Sequence, residues 1–511
     1  MAAVRALRSR LRRRLPAALG PVLCAAAAAS AHAQGTGLRL TTAAELSQSV
    51  VEVGGRADGS NGTEFVTRVA PSLRISGRSG GVSGSLNYTL AGIYRTGRSQ
   101  SSGSEIQNAL DGNLLAELVP GRAFLDGRAS ISQQSLSPFG RPVDDGSGFN
   151  PNRTEVSTLT LSPFLRGQLG GLATYEARLT GNIATSRDAA TPDSKSALAQ
   201  ITLGSARPGL LGWSLLASTQ RASFSTASQP IDLQRLNGTL TARPEPELSL
   251  SASVGVERTD YGGPIRRQFD TYGLALRWAP SPRTLVQLGA DERYFGRAHR
   301  VLLSYRTPRT VWTYSDARDV NDSGGVLGVG EPVTLYALLF QQLASAQPDP
   351  VLRDLLVQQQ LRDLGRSGNE RLLVGSLFSS QVVQRRQQGA AVWTTPRTAV
   401  SLQASRTEAR QAADSAALFA ATAPDVSQSG YAVTFSHRLT QTAGLSLDAS
   451  RQSTRGDATR SGTSTTTLGI GLSERLGRRA AAGLRAGHTR FDGSNDPSRE
   501  TSLTATLSIQ F

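Results

Sequence analysis

Ser502-Leu-Thr-Ala-Thr-Leu-Ser-Ile-Gln-Phe511, the last ten residues of a 511-residue chain, alternates apolar and polar side chains without a break. Leu503, Ala505, Leu507, Ile509 and Phe511 fall on one face of an extended strand, and Ser502, Thr504, Thr506, Ser508 and Gln510 on the other. Period 2 alone states only that one face meets an apolar phase. The edge strand of a soluble sandwich and a lipid-facing strand both carry it, so the remaining sequence has to decide.

Going back from that stretch, the pattern recurs along the chain from Leu38 onward. Leu86, Tyr88, Leu90, Gly92 and Tyr94 form one apolar face; Ala173, Tyr175, Ala177, Leu179 and Ile183 form another. Leu248 to Val256, Tyr272 to Trp278, Tyr431 to Phe435 and Leu468 to Leu472 repeat it. The unit is an alternating strand of about ten residues, a short turn, a second strand, then a longer polar segment. Short turns carry Pro or Gly at Val119 to Arg122, Gly170-Gly171, Arg207 to Gly209, Thr307 to Arg309, Thr395 to Arg397 and Leu476 to Arg478. Longer segments lie between them, such as Thr96 to Ile106, Ser135 to Arg153, Glu408 to Ser427 and Arg490 to Ser498. Short connections at one end and long ones at the other predict an all-β fold: a large antiparallel transmembrane β-barrel of roughly 22 strands, with the short turns in the periplasm.

The four tryptophans support that topology. Trp213, Trp278, Trp312 and Trp393 each sit beside a Pro-containing short turn, so a barrel would gather them at one membrane interface, where the indole ring is buried and its N–H stays wet. One segment breaks the strand pattern. Val333 to Leu364 reads as helix, with the apolar run Leu335 to Phe340 and Asp349-Pro350 as a start signal ahead of Leu352, Leu355 and Leu356. It occupies a long-loop position, and residues 320–372 form an insertion predicted to restrict the pore.

The N-terminus carries Arg5, Arg8, Arg10, Arg12, Arg13 and Arg14, an Ala/Leu-rich run from Leu15 to Ala29, and Ala31-His32-Ala33. This is the layout of a secretory signal peptide over residues 1–33, with cleavage before Gln34, which leaves 34–511 as the barrel. The single cysteine, Cys24, would leave with it, so the mature chain holds neither disulfide nor thiolate metal site. Loss of those six arginines lowers the formal charge from +16 to +10. The remaining arginines are scattered among Ser, Thr and Gln rather than clustered, which argues against a nucleic-acid partner.

Catalytic signals are weak. His299, His437 and His488 show no metal-ligand spacing, and His437 or His488 beside one of many serines is no more than a paper site. Glycine-rich stretches such as Gly77 to Gly84 lack phosphate-binding spacing. The expectation is a protein that is not an enzyme, with no catalytic, cofactor-binding or metal-ligating residues and no cofactor.

Three stretches carry a family resemblance: Ser130-Ile-Ser-Gln-Gln-Ser-Leu-Ser-Pro-Phe-Gly140, Asn152-Arg-Thr-Glu-Val156 and Leu161-Ser-Pro-Phe-Leu-Arg166. The sequence resembles the PEP-CTERM system-associated outer-membrane β-barrel proteins, found in bacteria with exosortase-type sorting and exopolysaccharide loci. Tyr314-Ser-Asp-Ala-Arg-Asp-Val320 extends the likeness. The resemblance implies a Gram-negative outer-membrane location and a conduit or assembly component for exopolysaccharide export or surface display. The partners expected are outer-membrane lipid, the barrel-assembly machinery acting through Phe511, polysaccharide and periplasmic export components. A general diffusion porin, a structural anchor without transport and a barrel hydrolase are alternatives compatible with the same residues.

Overall fold

The computed structural model describes residues 37–56, 61–97, 103–143, 150–188, 193–207, 209–225, 230–260, 266–320, 382–411, 425–456, 461–493 and 497–511, with eleven positions between 336 and 361. The signal segment 1–33 and most of the insertion, including its start signal at Asp349-Pro350, lie outside these residues.

Twenty-two strands, from β1 (Leu38–Gly54) to β22 (Ser498–Gln510), pair antiparallel in chain order. The sheet closes where β22 returns to β1, with Leu507 opposite Leu46 and Leu503 opposite Val50. The Phe511 N–H completes the seam by donating to the Thr42 carbonyl at 2.9 Å. Closure leaves no strand edge unpaired, which is what a sheet needs in a medium that offers its backbone no hydrogen bonds.

The alternating faces fall as expected from the sequence. Following the paired register, Leu503, Leu468, Val433, Leu402 and Trp312 all share one face, and its large apolar side chains are exposed all the way round the sheet. Trp213, Trp278, Trp312 and Trp393 belong to this face, each 45–54 % exposed, and all four sit at the ends of their strands nearest the short turns. They make a single aromatic rim at the end that also holds residues 38 and 511.

Strand length departs from the expectation of about ten residues. Strands run from 10 residues in β13 (Thr284–Arg293) to 18 in β2 (Gly62–Ser79). The extra length lies toward the long loops, so Ile106, Glu408 and Arg490, read above as loop, are in strands. Once polar side chains face outward as well as inward, alternation fades from the sequence although the ladder continues. The alternation of connections also has one exception: β13 turns into β14 (Gly296–Arg306) through Tyr294-Phe295 alone, at the long-loop end.

Candidate functional site: the barrel interior

Which face is the lumen follows from what crosses it. Buried Leu339, Val357 and Leu361 of the insertion pack on Ala390 and Val392 of β16 (Val382–Thr394), the face opposite Trp393. From the same insertion, the Asp354 carboxylate reaches Arg74 of β2 at 3.1 Å. Those strands are eight apart around the ring by the shorter path. One segment can touch both only from inside.

The insertion is helical where it is described. Leu343 N–H donates to the Leu339 carbonyl at 3.0 Å and Gln347 N–H to that of Leu343 at 2.8 Å, the i to i−4 spacing of an α-helix. Tyr336, Leu339 and Phe340 lie in one helical stretch, and Arg353, Asp354, Leu356, Val357 and Leu361 in a second. The two stretches pack on each other: the Arg353 guanidinium sits 4.6 Å from the Phe340 ring centre, and the Tyr336 hydroxyl donates to Asp354 at 2.7 Å. Burial, then that hydrogen bond and the Asp354 charge, push the Tyr336 hydroxyl well above its ordinary pKa, so it remains a donor. Each of the three fully buried apolar side chains contributes about 1.5–3 kcal/mol relative to exposure in a wet lumen. Leu356 departs from the expected apolar contact and is 43 % exposed.

A second element enters from the long-loop end. Between β5 (Ala123–Ser135) and β6 (Arg153–Leu169), the described residues 136–143 and 150–152 fold over the inner wall instead of standing out from the rim. Two asparagines hold its shape: Asn152 accepts from the Ser137 N–H at 2.8 Å and donates to the Ser137 and Arg141 carbonyls at 2.9 Å, and Asn150 donates to the Pro142 carbonyl at 2.8 Å. A Cβ at Gly140 would overlap the Asn152 side chain, so this turn requires glycine. Arg141 forms a buried ion pair with Glu500 of β22, and the Pro138 carbonyl accepts from Thr454 of β19 (Ala443–Arg455) at 2.9 Å. The Ser-Pro-Phe-Gly motif is therefore a constriction at the mouth.

The third motif stretch is part of β6 and turns alternate residues, Ser162, Phe164 and Arg166, toward the lumen. Phe164 of β6 stacks on Phe124 of β5 with ring centres 4.9 Å apart, Arg166 covers the Phe124 ring at 4.3 Å and Arg178 the Phe164 ring at 4.0 Å. The rest of the wall is dominated by small hydroxyl and amide groups that pair across strands. Ser49 and Thr504 lie 2.8 Å apart, Ser162 and Thr180 3.0 Å, Thr241 and Ser251 2.9 Å, and Thr160 donates to Asn182 at 2.9 Å.

The histidines go to the opposite face. His299 lies 3.0 Å from Asp316, which also accepts from Arg385 at 2.7 Å; His437 pairs with Thr398 at 2.9 Å and His488 with Thr501 at 3.0 Å. The structure brings no serine to His437 or His488 among these contacts. No cluster of His, Cys, Asp or Glu suited to a metal ion occurs among the described residues.

No protein-family model and no curated protein matches this chain. Among solved structures, similarity is found to the siderophore receptor PirA from Pseudomonas aeruginosa, at 10 % identity and TM-score 0.43 over 93 % of this chain and 80 % of that one. A mutant ferric enterobactin receptor (PfeA) in complex with enterobactin, from the same organism, gives 11 %, 0.44, 92 % and 81 %. The Pseudomonas aeruginosa protein OccK5 (OpdH) gives 8 %, 0.33, 92 % and 98 %. The class assignment rests on the chain's own features. The closed sheet, its outward apolar band and the tryptophan rim define a transmembrane β-barrel of the outer-membrane type. Its interior is occupied by two of its own segments.

Proposed function

We propose that this protein is a constricted conduit of the Gram-negative outer membrane, serving exopolysaccharide export or surface display in a PEP-CTERM/exosortase system, with no catalytic role of its own. The carrying observation is the insertion that spans the lumen from β16 to β2. A barrel of this strand number would otherwise enclose a channel wide enough to leak solutes. The hydroxyl-rich wall supports a polyhydroxylated cargo, because such a surface exchanges hydrogen bonds with sugar hydroxyls at little net cost. Lipid would contact the apolar band, the assembly machinery would read Phe511, and periplasmic export components would meet the short-turn rim.

Deleting Asn321 to Gly368 tests the reading. Single-channel conductance in planar bilayers should rise several-fold while heat-modifiable migration in detergent gels is retained. A general diffusion porin would already conduct freely with the segment in place. Unchanged conductance would turn the reading toward a structural anchor.

A further inference from the structure

On the inner face of β16 and β17 (Thr398–Gln411), three buried side-chain groups have no hydrogen-bond partner among the described residues: the Arg386 Nε–H, the Gln384 Nε2 amide and the Thr407 hydroxyl. Gln384 is 6 % exposed and Thr407 4 %. They form one patch, since Arg386 and Thr407 are directly paired across the strands. Arg386 Nη2 also donates to Gln384 Oε1 at 2.9 Å, which occupies the amide oxygen and leaves its N–H groups unused. Leaving such donors buried and unpaired costs about 1–3 kcal/mol each, more for a charged group.

The geometry points to an anion-binding subsite on the lumen wall, formed by Arg386, Gln384 and Thr407, that takes a carboxylate of an acidic saccharide. A water molecule fits the set poorly, having two lone pairs for three donor groups and only the Thr407 oxygen to accept its own hydrogens. A carboxylate presents about four lone-pair sites and balances the guanidinium charge. Among the described residues, the carboxylate paired beside the patch, Asp319 opposite Gln384, is already engaged by Arg293 at 2.9 Å. The paired row continues from Arg386 through Ala317 to Arg300 on one side and from Thr407 to Gln428 on the other. Among the described strand residues, inward arginines outnumber inward carboxylates, a balance that favours anions in the lumen. Ser405 and Gln388, paired on the same face, place hydroxyl-binding groups beside the subsite.

This inference rests on the conduit reading for its cargo, so its test measures binding and not conductance. Equilibrium dialysis would compare labelled trigalacturonate with maltotriose on the detergent-solubilised full chain. Wild type should bind trigalacturonate, more weakly as salt is raised, and bind maltotriose far less. Arg386→Gln should weaken trigalacturonate binding about tenfold or more and Thr407→Val several-fold, each variant first shown to migrate heat-modifiably. Arg128→Gln, which removes an inward arginine on β5, should leave binding unchanged. Absence of binding to wild type, equal binding of the two sugars, or equal effects of Arg128→Gln and Arg386→Gln would overturn the subsite.

Discussion

Asp354 and Arg74 are 280 residues apart in sequence, yet their carboxylate and guanidinium meet at 3.1 Å across the barrel interior. The pair ties the free side of the insertion to β2, while Leu339, Val357 and Leu361 hold its other side to β16. Both groups are partly exposed, so the tether contributes about 1 kcal/mol at most and screening by salt weakens it. Asp354→Asn should leave barrel stability unchanged while adding flicker to single-channel records. Quiet records identical to wild type would show that the apolar contacts alone fix the segment.

Val357→Ala attacks those contacts. Truncating a fully buried side chain on Ala390 and Val392 should cost about 2 kcal/mol or more of docking energy. Limited proteolysis of the folded protein should then cut the insertion sooner than the strands. Cleavage at the wild-type rate would mean that the packing is not what retains it.

The mouth constriction depends on Gly140 and Asn152. Gly140→Ala drives a methyl group into the Asn152 side chain, and Asn152→Ala removes the donors to the Ser137 and Arg141 carbonyls. In a chain without Cys24, an introduced Phe139→Cys can report on the turn. Its labelling by a membrane-impermeant maleimide should accelerate several-fold in either background, and equal rates would refute the pinning role.

The tryptophan rim predicts a depth. Quenching by lipids brominated near the headgroup should exceed quenching by lipids brominated at mid-chain, for the whole protein and for each of four single-Trp variants retaining Trp213, Trp278, Trp312 or Trp393. One variant with the opposite preference would break the rim.

At the seam, Phe511 lies on the lipid side and Gln510 on the inner side, opposite Ala43. Removing Phe511 should therefore reduce assembled barrel in outer-membrane fractions more than Gln510→Ala does. Equal losses would count against recognition of the terminal ring.

Much of the wall was legible because lipid and water impose opposite demands on alternate residues. That is why Leu503 to Phe511 and the other apolar faces could be placed, along with the four tryptophans and the approximate strand number. The interior was less legible. Ser135 to Arg153 reads as one more polar loop, and nothing local announces that Arg141 meets Glu500, 359 residues away. Apolar residues in a long-loop position did mark the insertion as needing cover. Gln384, Arg386 and Thr407 carried no signal, since a polar residue in a strand looks the same whether it is paired, wet or waiting for a ligand.

The closure of β22 on β1 also sets a condition on the contents. The seam joins the two ends of the sheet, so a ring without a lateral opening exists only with all twenty-two strands paired. The described parts of the insertion and of the segment ahead of β6 lie behind that seam, and the Arg141–Glu500 pair fastens one of them to the closing strand itself. A chain lacking β22 would be a trough, its contents exposed along one flank and its mouth segment without that anchor.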